Sequence, residues 1–381
     1  MSKIIIIGPA YPLRGGLATF NERMARQFIA NGHDVKIYTF SLQYPNFLFP
    51  GKTQYSQSPP PAELNIEVCI NSINPFNWWQ VGSKLKAENA DLIIVRYWLP
   101  FMGPSLGTIL RFAKRNNKTK IIGLIDNALP HEKRLGDRMF TSYFTDVCDG
   151  FVTMSEYVKL DLQQFTNLPV QLIQHPLYDN FGIKHEKKLA RQKLGLAEDK
   201  YIYLFFGFIR KYKGLKILLE AFEKLKDQDA LLLIAGEYYT GEDEIKEIIA
   251  SSTVRADIVE HTHFINDEEV AYYFSAADCV VQPYINATQS GVTPLAYHFE
   301  VPMIVTNVGA LPDLVPPSLG IVCEPNDNSV VQALRDIKRL DLENFNIKIK
   351  EEKLKLSWEK LAEVFIQFIN KNQENAKNIQ K

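Results

Sequence analysis

Two doubly wound, parallel α/β domains are the fold this sequence predicts, on three observations. Strand-like apolar runs alternate with helical-length stretches almost throughout, and the series restarts after a charged interval from Lys184 to Lys200. The first strand, Lys3 to Ile7, is a continuous β-branched run ending in Gly8, as a strand buried on both faces reads. The 381 residues suffice for two or three domains, and a 46% apolar fraction fills their cores.

After the first strand comes a loop, then a helix with Leu17, Phe20, Met24 and Phe28 at helical spacing, which Asn31-Gly32 stops before a strand at Val35 to Phe40. Further strands are expected at Ile66 to Ile70, Asp91 to Val95, Lys120 to Ile125, Gly150 to Thr153 and Val170 to Ile173. The second series comprises Tyr201 to Phe206, Ala230 to Ala235, Val259 to Phe264, Cys279 to Val281, Met303 to Thr306 and Leu319 to Val322. Beyond Asn328 the chain reads helical, with Trp358, Leu361, Val364, Phe365 and Phe368 on one stripe. The expected division is 1–180, 181–345 and a carboxy-terminal helical segment 346–381.

Lys plus Arg number 43 against 44 Asp plus Glu, a net charge of -1, so no overall basic field points to nucleic acid. Cys69, Cys148, Cys279 and Cys323 are too far apart for CxxC metal pairs or a disulfide scaffold, which fits a reducing cytoplasm. Ile4 to Ile7 is too short for a signal-peptide core, and no later run approaches about 18 uncharged apolar residues. A cytoplasmic protein is expected, at most at the inner face of a membrane.

Ligands of such sheets bind outside the carboxyl ends of the strands. The first loop there, Gly8 to Leu17, carries Gly15 and Gly16 just before a helix; either an anion approaches the backbone closely or the glycines serve chain reversal. The spacing is not GxGxxG and no acidic residue ends the second strand, which disfavours a nicotinamide cofactor. In the second series, Gly207-Phe208-Ile209-Arg210-Lys211-Tyr212-Lys213-Gly214 follows a strand, and Arg210 and Lys213 suit a diphosphate, unless this is an ordinary basic loop.

Gly207-x-x-Arg210-x-Tyr212-Lys213-Gly214 with Leu218-Leu219-x-Ala221 resembles the donor-phosphate loop of family 4 retaining glycosyltransferases with the GT-B fold. Gly15-Gly16, Asn127-x-x-Pro130-His131-Glu132, Thr153-x-Ser155-Glu156, Ala235-Gly236-Glu237, Ala276-Ala277-Asp278 and Val308-Gly309-x-Leu311-Pro312-Asp313 follow that family's order. Most members carry two glutamates eight positions apart in a later loop. Here the loop reads Asn286-Ala287-Thr288-Gln289-Ser290-Gly291-Val292-Thr293-Pro294-Leu295-Ala296, without either, and this Gln-Ser-Gly form reads as a subfamily mark.

The resemblance implies two Rossmann-like domains facing across a cleft, the carboxy-terminal helix crossing back to the first, and transfer of a sugar from a nucleotide diphosphate sugar to a glycan or lipid-linked acceptor with retention of configuration. It makes His131, Arg210 and Lys213 the catalytic residues; Gly15, Gly16, Gly207, Gly236, Gln289, Ser290, Gly291 and Val292 donor-binding; and Asn127 and Glu132 acceptor-side. No metal or other cofactor is implied. A GT-B epimerase, a sugar phosphorylase and a non-catalytic nucleotide-sugar-binding partner subunit are the alternatives. Tyr44 to Gly51, Tyr97 to Met102 and the basic residues Lys114, Arg115, Lys118 and Lys120 admit a weak peripheral membrane contact, although the aromatics equally suit covering the sheet edge. His261 and His263 share a face of their expected strand but have no third ligand at metal spacing.

Overall fold

The computed structural model describes residues 1–45, 53–56, 59–129, 135–287 and 290–379, with side chains to residue 369. The chain divides into two units, Met1–His175 with Ser357–Lys381, and Pro176–Leu356. Each is built on one parallel sheet flanked by helices.

The first unit holds β1 (Lys3–Ile7), β2 (Asp34–Leu42), β3 (Ile66–Asn71), β4 (Leu92–Tyr97), β5 (Lys120–Ile125), β6 (Gly150–Thr153) and β7 (Val170–Leu172). Their order is β3-β2-β1-β4-β5-β6-β7, with Ile4 level with Val35 on one side and Leu92 on the other. Ile4 to Ile7 are buried throughout, which is why the run needs no polar alternation. The second unit holds β8 (Tyr201–Phe206), β9 (Ala230–Ala235), β10 (Ile258–His261), β11 (Cys279–Gln282), β12 (Met303–Thr306) and β13 (Gly320–Cys323), ordered β10-β9-β8-β11-β12-β13. In both sheets the chain leaves its first strand to one side and later resumes on the other, so β1/β4 and β8/β11 are the points where the winding reverses.

The helix beginning at Trp358 belongs to the first unit. Trp358 lies 4.8 Å from the Phe20 ring, Phe365 packs near Phe28, and a Cβ on Gly150 would meet the Phe368 ring at 2.5 Å. Residues 346–356 do not travel with it: helix Leu342–Lys353 stays in the second unit, where Phe345 and Ile349 are buried and Lys353 pairs with Glu300 at 2.9 Å. Nor is the charged interval after Lys184 a linker. It folds as helix Lys187–Leu194, and the buried Arg191 holds Asp278 at 2.6 Å, so the crossing between units falls earlier, at His175–Pro176.

Candidate functional site

In the second unit the loops after β8, β9 and β11 converge where β8 and β11 diverge. Gly207 closes β8 at φ +97°, and Gly236 closes β9 at φ +143° so near that an added Cβ would sit 2.2 Å from the Gly207 carbonyl. Gly214, at φ +69°, ends the basic loop against the Pro283 carbonyl, where a Cβ would stand at 1.9 Å. Tyr212 O accepts from Ile285 N at 2.7 Å, tying the loop after β8 to the loop after β11. Backbone freedom at these glycines is what brings three strand ends together.

Arg210 and Lys213 stand in this convergence. The Arg210 guanidinium lies over the Tyr239 ring at 4.8 Å, and Lys213 Nζ stands 3.0 Å from where a Cβ on Gly207 would be. Neither side chain has an ion pair or hydrogen bond to a described residue. Lys213 is half-buried, and desolvation, with the Arg210 charge adding to it, pulls its ammonium down to about 7. Two cations held together without a carboxylate among the described residues suit an anion with more than one negative oxygen.

The Ser290-Gly291-Val292 turn opens helix Val292–His298. The Ser290 hydroxyl is committed inside the protein: it donates to Gln282 Oε1 at 2.5 Å and accepts from Val292 N at 3.1 Å. Gln282, buried at the end of β11, also bonds Thr293 Oγ1. Sequence reading missed Gln282; a polar residue closing an apolar strand was the available signal. Gln289 lies outside the described residues, while Gly309 at φ +53° packs so that a Cβ would meet Ala287 O.

In the first unit, Gly15 caps helix Gly16–Ala30 at φ +100°. The loop before it is pinned by Ala10 N donating to Thr39 Oγ1 and Tyr11 N to Glu22 Oε1, both at 2.9 Å. Beneath it, at the β1/β4 divergence, Arg96 and Asp126 form a buried two-point pair at 2.7 and 2.8 Å; Arg96 also donates to Asn21, which donates to Pro9 O. This network too went unread, although an arginine inside an apolar strand marks it. Asn127 follows Asp126 at the carboxyl end of β5, half-buried. His131 and Glu132 lie outside the described residues.

Three subsidiary expectations change. Strand β10 ends at His261, so His263 lies beyond it, and His261 bonds the Tyr273 hydroxyl at 3.0 Å. Tyr97 is buried, stacked on Phe144 at 4.2 Å, and Trp98 donates to the Tyr44 hydroxyl, so these aromatics cover the core rather than form a lip; residues 46–51 of that stretch lie outside the described residues. Lys114 and Lys120 share Asp149 and Lys118 pairs with Asp91, while Arg115 lies over Phe112, so three of that basic cluster's four cations are engaged by two carboxylates. Among the described residues no group of His, Cys, Asp and Glu is arranged to hold a metal ion.

Comparison with known proteins follows the same division. Residues 186–355 match the model for glycosyl transferases group 1, and residues 14–176 match the model for glycosyltransferase family 4. An uncharacterized glycosyltransferase of Methanocaldococcus jannaschii is 24% identical over 82% of each chain. The N-acetyl-alpha-D-glucosaminyl L-malate synthase of Bacillus anthracis is 23% identical over 87% of each. Among solved structures, Anabaena HepE in complex with UDP-glucose superposes with a TM-score of 0.74 at 13% identity, covering 97% of this chain and 100% of that one, a likeness of fold.

Proposed function

We propose that this chain, a group 1 glycosyltransferase of GT-B fold, moves a sugar from a nucleotide diphosphate sugar to a glycan or lipid-linked glycan acceptor, with retention of anomeric configuration. The observation that carries the reading is the pair of cations, Arg210 and Lys213, held at the glycine-lined end of β8 with no carboxylate partner among the described residues. A pyrophosphate there receives charge-assisted hydrogen bonds from both, and Gly207 and Gly236 let it approach the backbone. The UDP-glucose held by the Anabaena protein of like fold supports this donor class.

On this reading the acceptor hydroxyl attacks the anomeric carbon on the face from which the diphosphate leaves. The hydroxyl proton passes to the departing phosphate oxygen, and a nucleoside diphosphate is released. Arg210 and Lys213 stabilise the charge that grows on the leaving group, which is electrostatic catalysis and calls for no divalent ion. Gly291 and Val292 flank the donor through their backbone and Ser290 braces that turn, while Gln289, Gly15 and Gly16 keep the donor-binding roles that the family resemblance implies. His131, with Asn127 and Glu132, serves the acceptor sugar.

The rival reading, a nucleotide-binding partner subunit without turnover, draws on the carboxylate-free stretch from Asn286 to Ala296. A thermal-shift panel of UDP, GDP, ADP and TDP with their sugar conjugates, with and without EDTA, tests the donor site, since ligand at a hundredfold excess over its Kd stabilises by about 2.7 kcal/mol. One nucleotide family is expected to raise Tm regardless of EDTA. No shift with any of them overturns the reading, and a shift without transfer to any glycan acceptor favours the partner subunit.

A further inference from the structure

Gly207 turns the open side of its backbone toward two side chains from different loops: an added Cβ would stand 3.0 Å from Lys213 Nζ and 3.8 Å from Val292 Cγ2. The turn that carries Val292 therefore walls one side of the space around Lys213. Within that turn Ser290 is anchored on Gln282 at 2.5 Å, but Gly291 has no side chain with which to hold itself. Its φ of -74° and ψ of -12° suit any residue, and an added Cβ would meet nothing closer than 3.6 Å, so neither conformation nor crowding calls for a glycine there. What lies beside it is Tyr178, whose ring Cε2 and hydroxyl would stand 3.6 and 3.7 Å from that Cβ, in ordinary van der Waals range.

Tyr178 belongs to none of the loops that converge at the strand ends. It is the third residue of the second unit after the chain enters it at Pro176, and it is 5% exposed. The segment around it is fastened on both sides. Leu177 N donates to Leu356 O at 3.1 Å, which ties the entering chain to the leaving one. Phe181 sets its ring edge-on to Tyr178 at 5.4 Å, and Gly182 O lies 2.7 Å from His298 Nε2, at the last residue of helix Val292–His298. Residues 177–182 thus form a strap beside that helix, with Tyr178 at its opening turn and Gly182 at its end. A buried ring secured from both directions supplies the stiffness that a glycine in the turn takes away.

We propose that Tyr178 is a positioning residue for the donor site: its ring holds the Gly291-Val292 turn against the space around Lys213, so that donor affinity depends on the segment through which the chain enters the second unit. The role rests on the donor reading given above, and the turn is therefore measured both without and with nucleotide so that the two fail separately.

Hydrogen exchange of residues 290–293 without ligand reads the turn directly, and calorimetry with UDP, GDP, ADP and TDP reads the site. Tyr178→Leu should speed exchange of the turn and weaken binding of the nucleotide that the wild-type chain takes by about tenfold. Tyr178→Phe, which keeps the ring, should restore both. Ile249→Ala, buried in helix Glu242–Ser251 of the same unit, should lower Tm while leaving turn exchange and affinity as in wild type, which separates positioning from general loosening. Unchanged turn exchange in Tyr178→Leu overturns the role, and so does faster exchange at wild-type affinity. If that variant does not fold, His298→Ala, which frees Gly182 from a half-buried histidine, takes its place under the same two outcomes. If none of the four nucleotides binds the wild-type chain, the donor reading falls and this role falls with it, whereas unchanged exchange overturns the role alone.

Discussion

The two units reverse their winding at equivalent places and use charge there in opposite ways. At the β1/β4 divergence, Arg96 is met by Asp126 in two hydrogen bonds and by Asn21, all buried. At the β8/β11 divergence, Arg210 and Lys213 meet aromatic rings and glycine backbone but no carboxylate among the described residues. A buried guanidinium with its counter-charge built in has no need of a ligand. Two cations left without one carry an electrostatic cost that a bound anion relieves. The contrast separates an arginine that holds a loop in shape from cations that await a substrate.

The sharpest way to break this comparison is to remove one partner of each kind. Asp126→Ala leaves Arg96 buried and unpaired, and should lower stability by about 3–5 kcal/mol in chemical denaturation. The double variant Arg96→Met with Asp126→Leu, which removes both charges, should recover most of that loss. In the second unit the prediction inverts. Arg210→Ala should leave denaturation unchanged and weaken donor binding or turnover by about 2–4 kcal/mol, the scale of one lost charge-stabilising donor. Lys213→Met should weaken donor binding and raise Tm, because it deletes a half-buried cation that no carboxylate among the described residues neutralises. Wild-type turnover in both the Arg210 and Lys213 variants removes the phosphate clamp.

Most of this architecture was legible because buried parallel strands are written as uninterrupted apolar runs, and Ile4–Ile7 and Ala230–Ala235 have no other reading. The basic loop was legible for a local reason, since Gly207, Arg210, Lys213 and Gly214 are neighbours in sequence. What escaped depends on residues that meet only after folding. Lys187–Leu194 looks like a charged linker until Arg191 finds Asp278 across the fold. Ser290 looks like a free phosphate ligand until Gln282, on the preceding strand, accepts its hydrogen bond. Trp78 and Trp79 are indistinguishable in sequence, yet the first donates to Asn71 O and packs against the core while the second faces water. His131 rests on motif order alone, and His131→Ala should lower turnover while sparing nucleotide affinity.

A smaller effect follows from the Ser290 network. Ser290→Ala removes a buried hydrogen bond and the cap on Val292 N, so stability should fall by about 1–2 kcal/mol. Donor affinity should drop less than in Arg210→Ala, because the hydroxyl acts on the turn and not on the anion. Calorimetry and denaturation on the same variant check both halves.

The mildest prediction concerns pH and belongs to the second unit alone. Lys213 titrates at about 7 in the free protein. A bound diphosphate places negative charge beside it and raises that value, so above neutrality binding takes up a proton. Donor affinity should therefore be flat below pH 7 and fall as pH rises beyond it, by roughly fivefold between pH 7 and pH 8 for a single such group. Lys213→Met should abolish this slope. Arg210→Ala should move its onset to higher pH, because removing a neighbouring positive charge lets Lys213 keep its proton longer. Titration of nucleotide-sugar binding across this range in the two variants distinguishes a coupled pair of cations from two independent ones: an onset that does not move in Arg210→Ala means that the guanidinium and the ammonium do not sense each other.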